Sequence, residues 1–174
     1  MADMLVKLYA LPDLAPILAE QKSRGVGIRQ AHPDEKYKIA EWVREHLNPN
    51  WGIGCEVALE QRPPSCYIAF EIDQAHVPTN NPYDLPSEII LGFAVYDVAA
   101  KGVFGPIGVR EDRQDCGIGT ALLLTCLHAM AAERYAYAVI GWAGPTEWYA
   151  RTVGATIIEG SEPGIFRGSL KGAA

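Results

Sequence analysis

The chain has 174 residues, 49% apolar and 21% charged, with a formal net charge of −6. That length suits one domain and is too short for two comfortable ones, and it buries about 70% of its unfolded surface without needing a metal or disulfide. The acidic balance, with no run of Lys/Arg to make a local basic patch, disfavours a nucleic-acid partner, and no apolar stretch reaches the roughly 18 residues of a membrane span.

The opening segment, MADMLVKLYALPDL, has one Lys and no cleavage-site pattern, so no signal peptide is expected. It reads as a strand over 4–9 and a helix over 12–22 that stops at Ser23-Arg24-Gly25, with Gly in the usual stop position. A short strand follows at 26–29. Pro33-Asp34-Glu35 opens a second helix whose Ile39, Trp42, Val43 and Leu47 fall at helical spacing. A third, shorter helix runs over about 51–60 and ends at Arg62-Pro63-Pro64. Strands follow at 66–72, 88–98 and 102–109, with a polar, proline-rich loop over 74–87 before the second of them. Ala99-Ala100-Lys101 is short enough for a hairpin. Pro106 cannot donate to a ladder, so the third of these strands should be bulged or unpaired there.

The clearest helix runs from Gly117 to about Arg134. An apolar run over 136–142 has strand length, 145–153 reads as a short helix ended by Gly154, and strands close the chain at 155–159 and 165–170. The helix after the third long strand returns the chain for parallel pairing with the next. The expected fold is one α/β (α+β) domain over 1–174. It has a mixed, largely antiparallel sheet of about seven strands with helices on both faces, and 1–25 form a strand-helix extension. Cys55, Cys66, Cys116 and Cys126 form no CxxC and have no His at zinc spacing. No metal site is expected, and reduced thiols in a cytoplasmic protein are the plain reading.

The informative segment is Gln114-Asp115-Cys116-Gly117-Ile118-Gly119-Thr120, between a strand and the longest helix. Two glycines two positions apart let a ligand approach the backbone. The first-turn N–H groups lack internal partners and sit at the positive end of the helix dipole, which suits a phosphate or pyrophosphate. A P-loop is excluded because no Gly-Lys-Ser/Thr follows. A dinucleotide fingerprint is excluded because Leu122 stands at its third glycine, and Val139-Ile140 where its ribose-binding acid belongs. A helix start with glycines for tight packing is the plainer alternative.

This segment, followed by Ala121-Leu122-Leu123, resembles the acyl-CoA loop of the GCN5-related N-acetyltransferases. Glu147-Trp148-Tyr149-Ala150-Arg151-Thr152-Val153-Gly154-Ala155 is similar to a later family motif at the expected distance. The resemblance is good over about 89–170 and faint over about 26–72, and residues 1–25 precede the usual family start. It implies direct acetyl transfer from acetyl-CoA, used as cosubstrate, to an amine acceptor, most simply a small molecule. The cosubstrate would lie between splayed parallel strands at 104–109 and 136–142. Ile107 and Val109 would line its arm. Backbone N–H groups of Gln114, Cys116, Gly117, Ile118, Gly119 and Thr120 would hold its pyrophosphate. The Val109 amide would polarise the thioester carbonyl, and Tyr149 would be the general acid.

Tyr149 could instead be a core tyrosine. The strand at 102–109 has no carboxylate to act as base. Glu56, Glu71 and Asp97 are candidates elsewhere, and each reads equally as an ordinary surface carboxylate. A water chain or an amine arriving already neutral would also serve. His32, His46 and His76 read as turn or surface residues, His128 as a satisfied core residue, and Trp51 as a pocket candidate. Two other functions stay open: a CoA-binding protein of this fold without transfer, and an unrelated phosphate or nucleotide protein. Residues 1–25 could cover a sheet edge or form a homodimer contact.

Overall fold

In chain order the elements are β1 (Met4–Lys7), α1 (Leu14–Ser23), β2 (Val26–Gln30), α2 (Lys36–His46), α3 (Trp51–Glu60), β3 (Cys66–Ile72), β4 (Glu88–Tyr96), β5 (Val103–Val109), α4 (Ile118–Ala132), β6 (Tyr137–Ile140), α5 (Thr146–Val153) and β7 (Thr156–Ile157). They come from a computed structural model that describes residues 1–77, 79–81 and 87–165. The strand expected over 165–170 lies, apart from Ile165, outside the described residues. No helix among the described residues is long and apolar enough to cross a membrane.

The strands form one seven-stranded sheet in the order β2-β3-β4-β5-β6-β1-β7. Every neighbouring pair is antiparallel except β5 and β6. Strand β4 divides its side chains between two cores, by alternation from Gly92 onward and by a bulge that leaves Leu91 without a partner on β3. Leu91, Ala94 and Tyr96 join α4 on one face. Phe93 and Val95 pack with Ile39, Val43, Cys55 and Leu59 of α2 and α3 on the other. This is the expected α/β class with helices on both faces.

Helix α4 is apolar on nearly every side, with Leu122, Leu123, Leu124, Cys126 and Leu127 all buried. Each buried leucine contributes about 1.5–3 kcal/mol, but only if every side of the helix is covered. The sheet covers one side and α1 the other, with Leu14 and Ile17 against the same cluster. His128, on α4, is satisfied by the Pro12 carbonyl at 2.9 Å.

Strand β1 does not guard an edge. It is interior, pairing Met4 with Ile140 of β6 on one side and with Ile157 of β7 on the other. The strand expected to reach Tyr9 ends at Lys7, where a 3-10 turn takes over. The strand expected over 136–142 keeps only four residues. Trp142 leaves the extended region at φ 53, and its N–H is held by the buried Asp3 carboxylate at 2.9 Å.

Candidate active site

Two features of β5 open the sheet. Gly105 and Pro106 have no partners in the register that pairs Ala94 with Ile107 and Tyr96 with Phe104, which is the irregularity expected at Pro106. Towards β6, only Val103 and Phe104 are paired, with Val139 and Ile140. Beyond Phe104 nothing pairs with β5 on this side, because β6 ends at Ile140.

The direction of the freed main chain follows from the ladder. The Arg110 N–H donates to the Leu91 carbonyl at 2.8 Å, making Leu91–Arg110 a hydrogen-bonded pair. Alternation makes Gly92–Val109 a non-bonded pair and Ala94–Ile107 another. The N–H and C=O groups of Ile107 and Val109 therefore point away from β4, into the gap that β6 leaves.

That gap is a cleft of about 1060 Å³. Ile107, Val109, Gln114, Gly117, Gly119, Thr120 and Tyr149 line it, so most of the residues singled out in the sequence meet there. The turn into α4 carries Asp115 at φ 58 and Gly117 at φ 82, with no side chain capping the helix. A helix start of this kind leaves N–H groups of its first turn free for an anion.

Three residues of the loop sit differently from the others. Cys116 is exposed but is not on the cleft wall, and its carbonyl is turned to α1. Ile118 points its side chain into the core and also does not line the cleft. The Gln114 N–H donates to the Glu111 carbonyl at 3.3 Å, closing a 3-10 turn, so it is not a free anion donor. The Gln114 side chain instead reaches back to the Val109 carbonyl at 3.3 Å.

Tyr149, on α5, is 5% exposed and borders the cleft. Burial pushes its phenol up to about 12, so it stays protonated at neutral pH. Its hydroxyl has no hydrogen-bond partner among the described residues. Its neighbour Trp148 packs 4.8 Å away, ring to ring.

The three carboxylates considered as bases lie off the cleft wall. Glu56 pairs with Arg44, and Glu71 with Arg113. Asp97 is a buried structural group, accepting from Gly102 N–H at 2.7 Å and from the Tyr135 hydroxyl at 2.7 Å. The cleft instead offers His46, which sequence reading took for a turn or surface residue. Its ring stacks on Trp42 at 5.1 Å, and its Nδ1 lies 3.0 Å from the Trp42 carbonyl. A carbonyl can only accept, so Nδ1 carries a hydrogen, and in the neutral ring Nε2 then holds the lone pair. The signal was present in sequence as His46 four residues after Trp42, but nothing local said that the end of α2 faces the cleft. Leu47 and Trp51 complete that wall, so close that a Cβ on Gly108 would lie 2.7 Å from Leu47 and 3.1 Å from Trp51.

No protein-family model matches the chain, and no curated protein matches it. Solved structures do. One is the GCN5-related glucosamine N-acetyltransferase region of a fungal multi-domain GH3 β-N-acetylglucosaminidase, at TM-score 0.67 and 12% identity. Another is a GCN5-related N-acetyltransferase from Sphaerobacter thermophilus, at 0.61 and 18%. A third is a Drosophila protein, at 0.57 and 13%. Each match covers 90% of this chain but only 19%, 48% and 47% of the other, so this chain spans half of those proteins or less. At such identities the likeness is one of fold. The chain has the fold of the GCN5-related N-acetyltransferases, the family its glycine loop resembles.

Proposed function

We propose that this chain is an N-acetyltransferase that moves the acetyl group of acetyl-CoA to a small primary amine. The observation that carries the reading is the convergence in one cleft of an unpaired parallel strand edge, a glycine-rich helix start and a buried protonated tyrosine. The cosubstrate supplies the activated acetyl thioester. The chain's own groups do the rest. The free N–H and C=O groups of Ile107 bind the amides of the pantetheine arm as a neighbouring strand would. The amides at Gly117, Gly119 and Thr120 take the pyrophosphate. The Val109 N–H polarises the thioester carbonyl. His46 Nε2 accepts the proton that the amine gives up as its nitrogen bonds to the acetyl carbon. Tyr149 donates a proton to the sulfur as the C–S bond breaks.

One observation favours a second reading, in which the fold binds CoA without transfer: β5 carries no carboxylate on the cleft. A third reading is a phosphate or nucleotide site that makes no use of the strand edge. Thermal unfolding with acetyl-CoA, CoA, ADP and pantetheine separates them. A ligand at 100 times its dissociation constant adds about 2.7 kcal/mol, a rise of roughly 5–11 °C for a chain of this size. A larger shift with acetyl-CoA than with ADP, and turnover in an amine panel, support transfer. Equal shifts with ADP and acetyl-CoA support a nucleotide site, and no shift with saturating acetyl-CoA ends the transferase reading.

A further inference from the structure

We infer that α1 is a clamp on the anion-binding loop, with Gln21 and Arg24 as positioning residues that set the direction of the Gly117 amide. The inference rests on the acetyl-CoA reading above and extends it to a helix that lies outside the cleft wall.

The Gln21 Nε2 donates to the Cys116 carbonyl at 3.1 Å, and Arg24 Nη1 donates to the same oxygen at 3.0 Å. The Cys116–Gly117 peptide is trans, since the cis bonds among the described residues lie elsewhere. In a trans peptide the carbonyl and the next N–H point in opposite directions. Two donors that hold the Cys116 oxygen against α1 therefore hold the Gly117 N–H away from α1, on the side where Gly117 borders the cleft. Gly117 stands at φ 82, a conformation in which a glycine peptide flips readily unless something holds it.

Gln21 is a poor choice for packing alone. It is 2% exposed on an otherwise apolar helix face, and its Oε1 is buried without a hydrogen-bond partner. A buried, half-satisfied amide destabilises the fold relative to an apolar side chain of the same shape. What the residue supplies is one directed bond to the loop. Contact is close enough that a Cβ on Gly117 would stand 2.8 Å from Gln21 Nε2. Arg24 adds positive charge beside the loop, although Glu20 pairs with it at 2.5 Å.

Binding of CoA and of pantetheine, which lacks the pyrophosphate, tests the clamp on the full chain. Gln21→Met keeps the volume and removes the donor. The expected result is an unfolding midpoint at or above that of the parent, CoA affinity lowered about tenfold, and pantetheine affinity unchanged. Arg24→Met, at a half-exposed site that folding tolerates, lowers CoA affinity about threefold, and Arg24→Lys restores it. A packing role alone would lower the midpoint and weaken both ligands alike, which overturns the clamp. CoA affinity unchanged in both Gln21→Met and Arg24→Met overturns it too while leaving the acetyl-CoA reading intact. A parent chain that binds no CoA overturns both. Should Gln21→Met fail to fold, the Arg24 pair decides.

Discussion

Trp148 stands guard over Gly119: a Cβ on that glycine would lie 3.7 Å from Trp148 Cζ2 and 3.8 Å from Val109 Cγ2. A methyl group fits there in ordinary contact, and a longer acidic chain does not. Gly119→Ala is expected to keep the acetyl-CoA-induced rise in unfolding temperature. Gly119→Glu is expected to abolish it in a folded protein, because the carboxylate enters the space of the pyrophosphate. Ligand titration of both variants by thermal unfolding checks this, and a normal shift in Gly119→Glu removes the loop from the binding site.

Glu111 and Asp115 border the same cleft, so the anion site has like charge beside it. Asn tolerates the left-handed backbone of Asp115 as well as Asp does. Asp115→Asn should therefore tighten CoA by about twofold to fivefold, the range for one solvent-screened charge. The gain should shrink at high salt. Calorimetric titration at two ionic strengths reads both effects, and unchanged affinity would place the pyrophosphate elsewhere.

His46→Gln should lower acetyl transfer by about a hundredfold, within the usual range for a lost general base. CoA affinity should stay within about twofold, because His46 stacks on Trp42 at the end of α2 and is no part of the glycine loop. Steady-state kinetics with any accepted amine supplies the comparison. Full activity in the variant returns the proton to water or to the amine's own equilibrium.

Tyr149→Phe should lower turnover by about a hundredfold while leaving CoA binding unaltered. The same residue makes a prediction about stability. Its folded value, about 12, lies above the ordinary 10.0. The neutral phenol is therefore favoured in the folded chain, and its stabilisation is complete below about pH 10. As pH rises from 10 towards 12 the unfolded chain ionises first, and up to about 3 kcal/mol is lost. Chemical denaturation between pH 8 and 12 should show a shallower alkaline loss in Tyr149→Phe than in the parent. Parallel curves would mean that the phenol is not desolvated.

The glycine loop was legible because its signal is local: a strand, two glycines and an apolar helix within one stretch of chain. Gly117, Gly119 and Thr120 could be picked from it, whereas Tyr149 came from the resemblance of the separate stretch at 147–155 to a family motif. Gln114 and Cys116 were legible as part of the loop but not in their orientation, which depends on the 3-10 turn at Glu111–Arg113 and on α1. His46 and Gln21 could not be read as site residues. The first looks like a charged helix end until α2 is placed against β5, and the second like a surface glutamine until α1 is placed against α4. Asp97 looked like a surface acid because sequence does not reveal that Tyr135 and Lys101 close over it.

The interior position of β1 governs the order in which this chain can reach its native state. Met4 finds both of its strand partners, Ile140 and Ile157, near the far end of the sequence. During synthesis the first strand therefore has nothing to pair with until the stretch from Ile140 to Ile157 has left the ribosome. The β2–β5 meander can assemble early from near neighbours, but the other half of the sheet closes late and across the longest loop in the molecule. Helix α1 follows β1 in the chain and packs on α4 and on the loop before it, so its contacts with Cys116 belong to that same late step. Acquisition of ligand binding should then coincide with the last event of folding rather than with formation of the meander.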